Sequence, residues 1–376
     1  MFSLVALNFN RDTAVNAYRL DDTTSLKTNG YDWWWHNFVA VSRVDKSLRP
    51  FFIEYYIINP GLTPDSVTLG CDGKNRPSYA MMKVGTWGKD AVQLHNFYPP
   101  AQFKASHENM EVSIGSNFAN DTQLKGSVHV SEADSARPEF FSDAGSISWD
   151  LTANKILSFD TGYATRKPFR STNLLEMSWF VRGMKTEYSG TVTFNNQIYD
   201  VFPDRSYGYQ DKNWGTEYTN PWIWLSCNKF VSRNTRQQLN LTSLDVGGGR
   251  VRIGGISVGT QILLAFYYEG VLHEFSFTNP LLLSSVTPII TQTDTHVTWK
   301  IEAKNINSKV ELDFSAEKSL GLKINYESPD GNIKHKNLHN FGYAKGTLKF
   351  YTKSNFSYIL VDTLDGDMGG AEYGEY

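Results

Sequence analysis

From Tyr31 onward, short runs rich in aromatic and β-branched residues follow one another with turn signals between them and no helical periodicity. That succession restricts the chain to an all-β architecture. WWWHNFVAVSR, introduced by Gly30-Tyr31-Asp32, and FFIEYYII (Phe51 to Ile58) flank the turn-like Val44 to Pro50 and read as a hairpin. SYAMMKVGTW, AVQLHNFYP, FKASHENMEVSIG, QLKGSVHVSE, GSISWDL, LEMSWFVRG and TEYSGTVTFNNQIYD continue the series, with Asn195-Asn196 at the tip of a tight hairpin. The second half has the same texture, from LNLTSLDVGG through SYILVDTL. Regular short strands of this kind predict a sandwich or barrel. The acidic, glycine-rich end, DTLDGDMGGAEYGEY, reads either as a closing strand or as a frayed end.

A length of 376 residues suits two domains rather than one. The sequence carries a faint internal repeat in support. Trp34 to Arg43 laid over Trp224 to Arg233 matches Trp34 with Trp224, Ser42 with Ser232 and Arg43 with Arg233, at an offset of 224 minus 34, or 190 residues. An offset of half the chain is what a duplicated β domain requires. The expected architecture is therefore two tandem antiparallel β-barrel domains, residues 1–205 and 206–376.

Composition excludes several classes of partner. A net charge of −3 gives no field suited to nucleic acid or an anionic surface. No window approaches the ~18 apolar residues of a membrane span, which argues against stable insertion and leaves only peripheral membrane contact open. The N-terminal MFSLVALNFNRDTAV lacks a basic leader region, so a cytoplasmic location is expected. Cys71 and Cys227 are too far apart for a readable framework and are expected to be reduced thiols.

Chemistry concentrates between Tyr207 and Phe230. Tyr209-Gln210-Asp211-Lys212-Asn213-Trp214-Gly215 is too polar for an ordinary buried strand. The following residues alternate as a strand, with Trp222, Trp224, Ser226 and Asn228 on one side and Ile223, Leu225, Cys227 and Lys229 on the other. Two indoles followed by a hydroxyl and an amide suit a wall for an apolar molecule with a polar end. A carboxylic acid kept protonated by apolar surroundings acts as a general acid, and indole faces stabilise a carbocation formed beside them. Asp211, with Tyr209, Trp214, Trp222 and Trp224, supplies both. The alternative is structural: Asp211 caps backbone amides and Trp214 plugs a barrel end. Glu54 is read either as a buried carboxylate beside Tyr56 or as an edge residue reaching water.

Other chemistries lack their minimum parts. There is no Gly-x-Ser-x-Gly elbow, His-Glu-x-x-His pair or P-loop. Val246 to Gly255 (VGGGRVRIGG) reads as a glycine-rich hairpin or bulge rather than a phosphate loop, because no helix signal follows. His335 and His339 lack a third ligand, and no metal is assigned.

Tyr209-x-Asp211-Lys212-Asn213-Trp214-Gly215 followed by Trp222-x-Trp224-x-x-Cys227-Asn228 resembles tocopherol cyclases and their relatives, the carotenoid 1,2-hydratases and the lipocalin-like fungal Diels–Alderases. The resemblance is best from Gly145 to Asp245, with fainter support at Tyr31 to Phe38 and at Gly369-Gly370. It implies two lipocalin-like β-barrels with an apolar pocket near their junction. It also implies cofactor-free chemistry on a hydrophobic, prenyl-type small molecule, a cyclase (isomerase) or hydratase (hydro-lyase) reaction. The acid at Asp211 would protonate an alkene, assisted by Tyr209, and a phenol or water would capture the cation. The expected substrate-binding residues are Trp214, Trp222, Trp224, Asn213, Asn228, Trp34, His36, Glu54 and Tyr56. The competing expectations are a non-catalytic carrier of a lipid or other hydrophobic ligand, and a sugar-binding module with its indoles on an open surface.

Overall fold

The computed structural model describes residues 16–20, 25–71, 73–159, 176–253, 256–277 and 280–375. Residues 1–15, on which the expectation of no leader rests, and Leu175, the first residue of LEMSWFVRG, lie outside them. Among the described residues one short α-helix, Glu132–Ser135, accompanies the strands. No helix there is long and apolar enough to cross a membrane.

Among the described residues the strands form two antiparallel sheets. In the first, β1 (Tyr31–Ser42) pairs with β2 (Leu48–Ile58), β2 with β3 (Tyr79–Thr86), and β3 with β4 (Val92–Tyr98). On its other side β1 pairs with Gln197–Val201 and with Gly208–Gly215, and both of these pair with the long strand Met177–Phe194. The second sheet is built from Trp222–Cys227 onward. Its centre is Trp222–Cys227 between Ser243–Ile253 and the final strand Ser357–Gly374. The acidic, glycine-rich end is thus a paired strand, buried continuously from Met368 to Tyr373.

Side-chain alternation determines where the cores lie. In Ser308–Glu317 every second side chain is buried, and Val310, Leu312, Phe314 and Ala316 join the core of the second barrel. β1 differs, being buried along its whole length. Its even residues Trp34, Phe38 and Ala40 fill the first barrel, while Trp33 and Trp35 enter a separate aromatic cluster shared by both sheets. A strand covered on both faces reads as a continuous apolar run, as WWWHNFVAV does.

Three expectations are corrected. Gly208–Gly215 is a fully buried central strand, although its polarity argued against an ordinary buried strand. It is tolerated because several of its polar groups are paired, Asp211 Oδ1 and the Gln210 amide being the exceptions among the described residues. Lys212 meets Asp32 in a fully buried ion pair over the ring of Trp34, and Tyr31 donates a 2.9 Å hydrogen bond to Asn213. LEMSWFVRG and TEYSGTVTF are not separate strands. Met177–Phe194 is continuous and absorbs its irregularities as register shifts between Phe180 and Thr186. FKASHENMEVSIG, read as one strand, splits into Phe103–Ala105 and Glu111–Ile114.

Three tight turns were legible in the sequence. Asn195 and Asn196 both have positive φ, 44° and 67°, and close the hairpin between Phe194 and Gln197. The turns at Ser42 and Ser232 match at the 190-residue offset. Lys46 and Arg236 have φ of 62° and 60°, and each donates its N–H to the carbonyl of the serine four residues back. Arg43 and Arg233 each make a two-pronged bond to an aspartate, Asp200 and Asp365. Ser243–Ile253 and Ile256–Tyr268 pair as a hairpin across residues 254–255, which lie outside the described set.

Candidate functional site

The aromatic cluster between the sheets contains several buried titratable groups, Asp211, Glu372, Tyr209 and Asp245 among them. Gly208–Gly215 sends Gln210, Lys212 and Trp214 toward the first barrel, and Tyr209, Asp211 and Asn213 toward the second sheet. β1 contributes Trp33 and Trp35, the long strand Met177 and Trp179, and the second sheet Trp222, Trp224 and Glu372. These side chains surround a cavity of about 30 Å³. That is room for roughly one water molecule.

Close packing around it depends on glycine. A methyl group at Gly247 would strike the ring of Trp179, and one at Gly370 the ring of Trp224. The glycine-rich run after Asp245 therefore lets an indole from the first sheet lie directly on the backbone of the second.

Each carboxyl here is met by an indole. Trp179 Nε1 donates to Asp211 Oδ2 at 2.8 Å, Trp222 Nε1 to Glu372 Oε2 at 2.6 Å, and Trp224 Nε1 to Asp245 Oδ1 at 3.2 Å. Glu372 Oε1 also accepts from Asn340, which in turn receives Trp87 Nε1 at 2.6 Å. The Tyr209 hydroxyl lies between two acids, 3.3 Å from Asp211 Oδ2 and 3.4 Å from Asp245 Oδ2. It donates to one of them at a time.

Burial raises these acids. It lifts Asp211 from 3.8 to about 8, against the bonds from Trp179 and Tyr209 and with the help of the Glu372 charge. Glu372 rises to about 7 for the same leading reason. Asp245 is raised well above its ordinary value by burial and by the charge of Asp211. At neutral pH Asp211 is thus a carboxylic acid. Its Oδ2 accepts from Trp179, so the acid proton belongs on Oδ1, which is buried and has no partner among the described residues. A held proton with no protein acceptor is what a general acid requires.

The residues singled out from the sequence fall into three groups. Asp211, Asn213, Trp222 and Trp224 line the cavity, and Tyr209 joins Asp211 to Asp245 behind it. Glu54 and Tyr56 share this face but lie further along it. Glu54 is fully buried against Lys83 at 3.1 Å and accepts from the Tyr326 hydroxyl at 3.1 Å, while the Tyr56 and Tyr218 hydroxyls are 2.9 Å apart. Burial pushes the Glu54 carboxyl up and the Lys83 ammonium down, and each charge pulls the other back.

Trp34, His36 and Trp214 point into the first barrel, away from the cavity. Trp34 donates to the Asn16 carbonyl at 2.7 Å, Trp214 packs on Phe180, and His36 Nδ1 is 2.8 Å from the Tyr188 hydroxyl. Burial lowers His36 to about 3. Asn228 bonds the Gly208 carbonyl at 2.8 Å and so ties the start of the acid-bearing strand to the second sheet.

Sequence reasoning passed over Trp33, Trp35, Trp179, Asp245, Tyr326 and Glu372. The alternation of WWW offered Trp33 and Trp35 as an opposed pair to Trp34. The others come from distant strands and had no local signal. Among the described residues, no three His, Cys, Asp or Glu side chains are grouped as a metal ion would require.

A family model described as tocopherol cyclase-like matches residues 73–375. The chloroplastic tocopherol cyclase of Zea mays is 26% identical over 128 residues, which are 34% of this chain and 24% of that protein. The "Probable tocopherol cyclase, chloroplastic" of Oryza sativa subsp. japonica is 26% identical over 110 residues, 29% of this chain and 21% of that one. These alignments span about a quarter of the curated relatives' length or less. The crystal structure of CghA with Sch210972 is similar at a TM-score of 0.51 and 10% identity, covering 93% of this chain and 89% of that one. The likeness is one of fold.

Proposed function

The chain belongs to the tocopherol cyclase-like family, and from that premise we propose that it is a cofactor-independent cyclase or hydratase acting on a hydrophobic molecule with an isoprenoid-type alkene. The observation that carries this reading is the Asp211 carboxyl, raised by burial and with Oδ1 unpartnered among the described residues, in the lining of a cavity walled by indoles.

Asp211 transfers its proton from Oδ1 to one alkene carbon, and the positive charge develops on the neighbouring, more substituted carbon. The faces of Trp33, Trp35, Trp179, Trp222 and Trp224 stabilise that cation. A hydroxyl of the same molecule, or a water, adds its oxygen to the cation and loses its proton to the Asp211 carboxylate. The acid is thereby restored. Capture by an internal hydroxyl closes a ring without change of composition; capture by water gives the hydrated product. Tyr209 connects Asp211 to Asp245 and steadies the transient carboxylate by donating to Oδ2.

The test is to incubate the protein in D₂O with a prenylated hydroquinone and to follow deuterium entering the product at the protonated carbon. Deuterium incorporation that disappears in Asp211→Asn while the hydroquinone still binds supports the reading. Binding without incorporation by either protein would make the chain a carrier instead.

A further inference from the structure

A second chamber, of about 340 Å³, lies beside the acid cavity and is lined by Tyr79, Met81, His95, Phe97, Phe140 and Tyr326, among others. Its size falls in the range of small-molecule sites, ~300–1,000 Å³. Tyr326 is the one described residue that lines both spaces. Its ring is held between Trp33, 5.1 Å away, and the Lys83 ammonium, 3.6 Å away.

The two spaces terminate a single row of side chains. Across adjacent strands Asp211 lies opposite Trp35, Trp35 opposite Glu54, Glu54 opposite Lys83, and Lys83 opposite His95. Directly opposed residues share a face, so all five point toward the second sheet. Four strand spacings of ~4.8 Å separate the ends of the row by roughly 19 Å.

His95 is built as an acceptor. It is 5% exposed, and its Nδ1 lies 3.0 Å from the Phe140 carbonyl. A carbonyl only accepts, so Nδ1 carries the hydrogen and Nε2 is left with a lone pair. Nε2 is buried with no partner among the described residues. Burial, with the Lys83 charge, lowers the imidazole to about 3, which keeps it neutral and accepting at physiological pH.

We infer that the larger chamber receives the non-reacting end of the substrate, an elongated apolar molecule carrying a hydroxyl that donates to His95 Nε2. The acid cavity holds little more than a water, so the body of any isoprenoid must lie elsewhere, and the chamber past Tyr326, part aromatic and part lined by Lys74, Glu139, Glu327 and Lys336, has the volume. Which end reacts rests on the reading of Asp211 as the acid; the hydroxyl's recognition by His95 does not.

The probes are farnesol and its methyl ether, which lacks the donor, titrated calorimetrically into the wild type, His95→Phe and Asp211→Asn. Farnesol should bind the wild type and lose about ten-fold in affinity in His95→Phe, the scale of one lost hydrogen bond. The ether should bind both equally, and Asp211→Asn should leave both affinities unchanged. In wild-type protein, farnesol should move the His95 Nε2 resonance in a ¹⁵N spectrum and the ether should not, a readout that stands if His95→Phe fails to fold. Equal farnesol affinity in wild type and His95→Phe, a silent Nε2 resonance, or no binding would overturn the inference. Full turnover in Asp211→Asn with these binding results intact would overturn only the acid.

Discussion

The indole nitrogen of Trp179 lies 2.8 Å from Oδ2 of Asp211, and this bond decides which oxygen of the carboxyl holds the proton. Trp179 comes from the long strand Met177–Phe194 and Asp211 from its neighbour Gly208–Gly215, so the sheet itself sets the geometry. The orientation of the acid is thus a property of the first sheet, while the closure of its surroundings comes from the second.

Replacing Asp211 by Asn keeps the acceptor for Trp179 and removes the proton. Turnover should fall by about 10²–10⁴, the usual worth of a general acid, with substrate affinity unchanged within two-fold or so. Single-turnover kinetics beside equilibrium binding separate the two. Equal loss of both would point to a structural role.

Activity should depend on the protonated acid, so it should be level near neutrality and fall above pH 8, about ten-fold per unit. The bond from Trp179 favours the ionised form. Trp179→Phe therefore raises the Asp211 value further and moves the alkaline limb of the rate profile to higher pH. A limb that moved downward would contradict this.

Stability should respond at lower pH, between about 4 and 8. Asp211 rises from 3.8 to about 8 on folding and Glu372 from 4.5 to about 7, so the folded state binds more protons than the unfolded state between those limits. Their contribution is fully present below pH 4 and is lost as pH rises through 7 and then 8. Denaturant midpoints should fall across that range, and less steeply in Asp211→Asn.

Gly247→Ala places a methyl group against the Trp179 ring. We expect a cost of about 1–3 kcal/mol from overpacking, and a loss of turnover larger than the loss of stability because the displaced indole releases Asp211. Urea unfolding and turnover measured on one preparation test the pairing.

Lys83→Met leaves Glu54 buried without its cation and should cost about 3–5 kcal/mol. Adding Glu54→Gln should recover much of that, because a neutral amide needs no counter-charge. A double variant as unstable as the single one would mean that packing, not charge, dominates.

Much of the local structure was written in the residues themselves. Asn195-Asn196 fits the left-handed backbone of a two-residue hairpin, and the Ser-Arg turns at Ser42 and Ser232 repeat with matching hydrogen bonds. The alternation of Trp222 and Trp224 against Ile223 and Leu225 placed two indoles on one face, and those are local properties of strand geometry. The polarity of Tyr209 to Trp214 misled, because a short window cannot show that Lys212 meets Asp32, 180 residues away.

The sequence alone determined that the chain is made of strands, where several turns close, and which side chains share a face. Tertiary structure alone decided which face became the cavity. Alternation fixes only the relative phase of Trp33, Trp34 and Trp35, and the body that covers each face is built from distant chain. Asp211 acquires its raised value from burial beneath the second sheet and from the charge of Glu372, against the bond from Trp179, 32 residues before it. Glu372 meets Trp222 across 150 residues. Desolvation by partners so remote raises a carboxyl into an acid, and no local pattern records it.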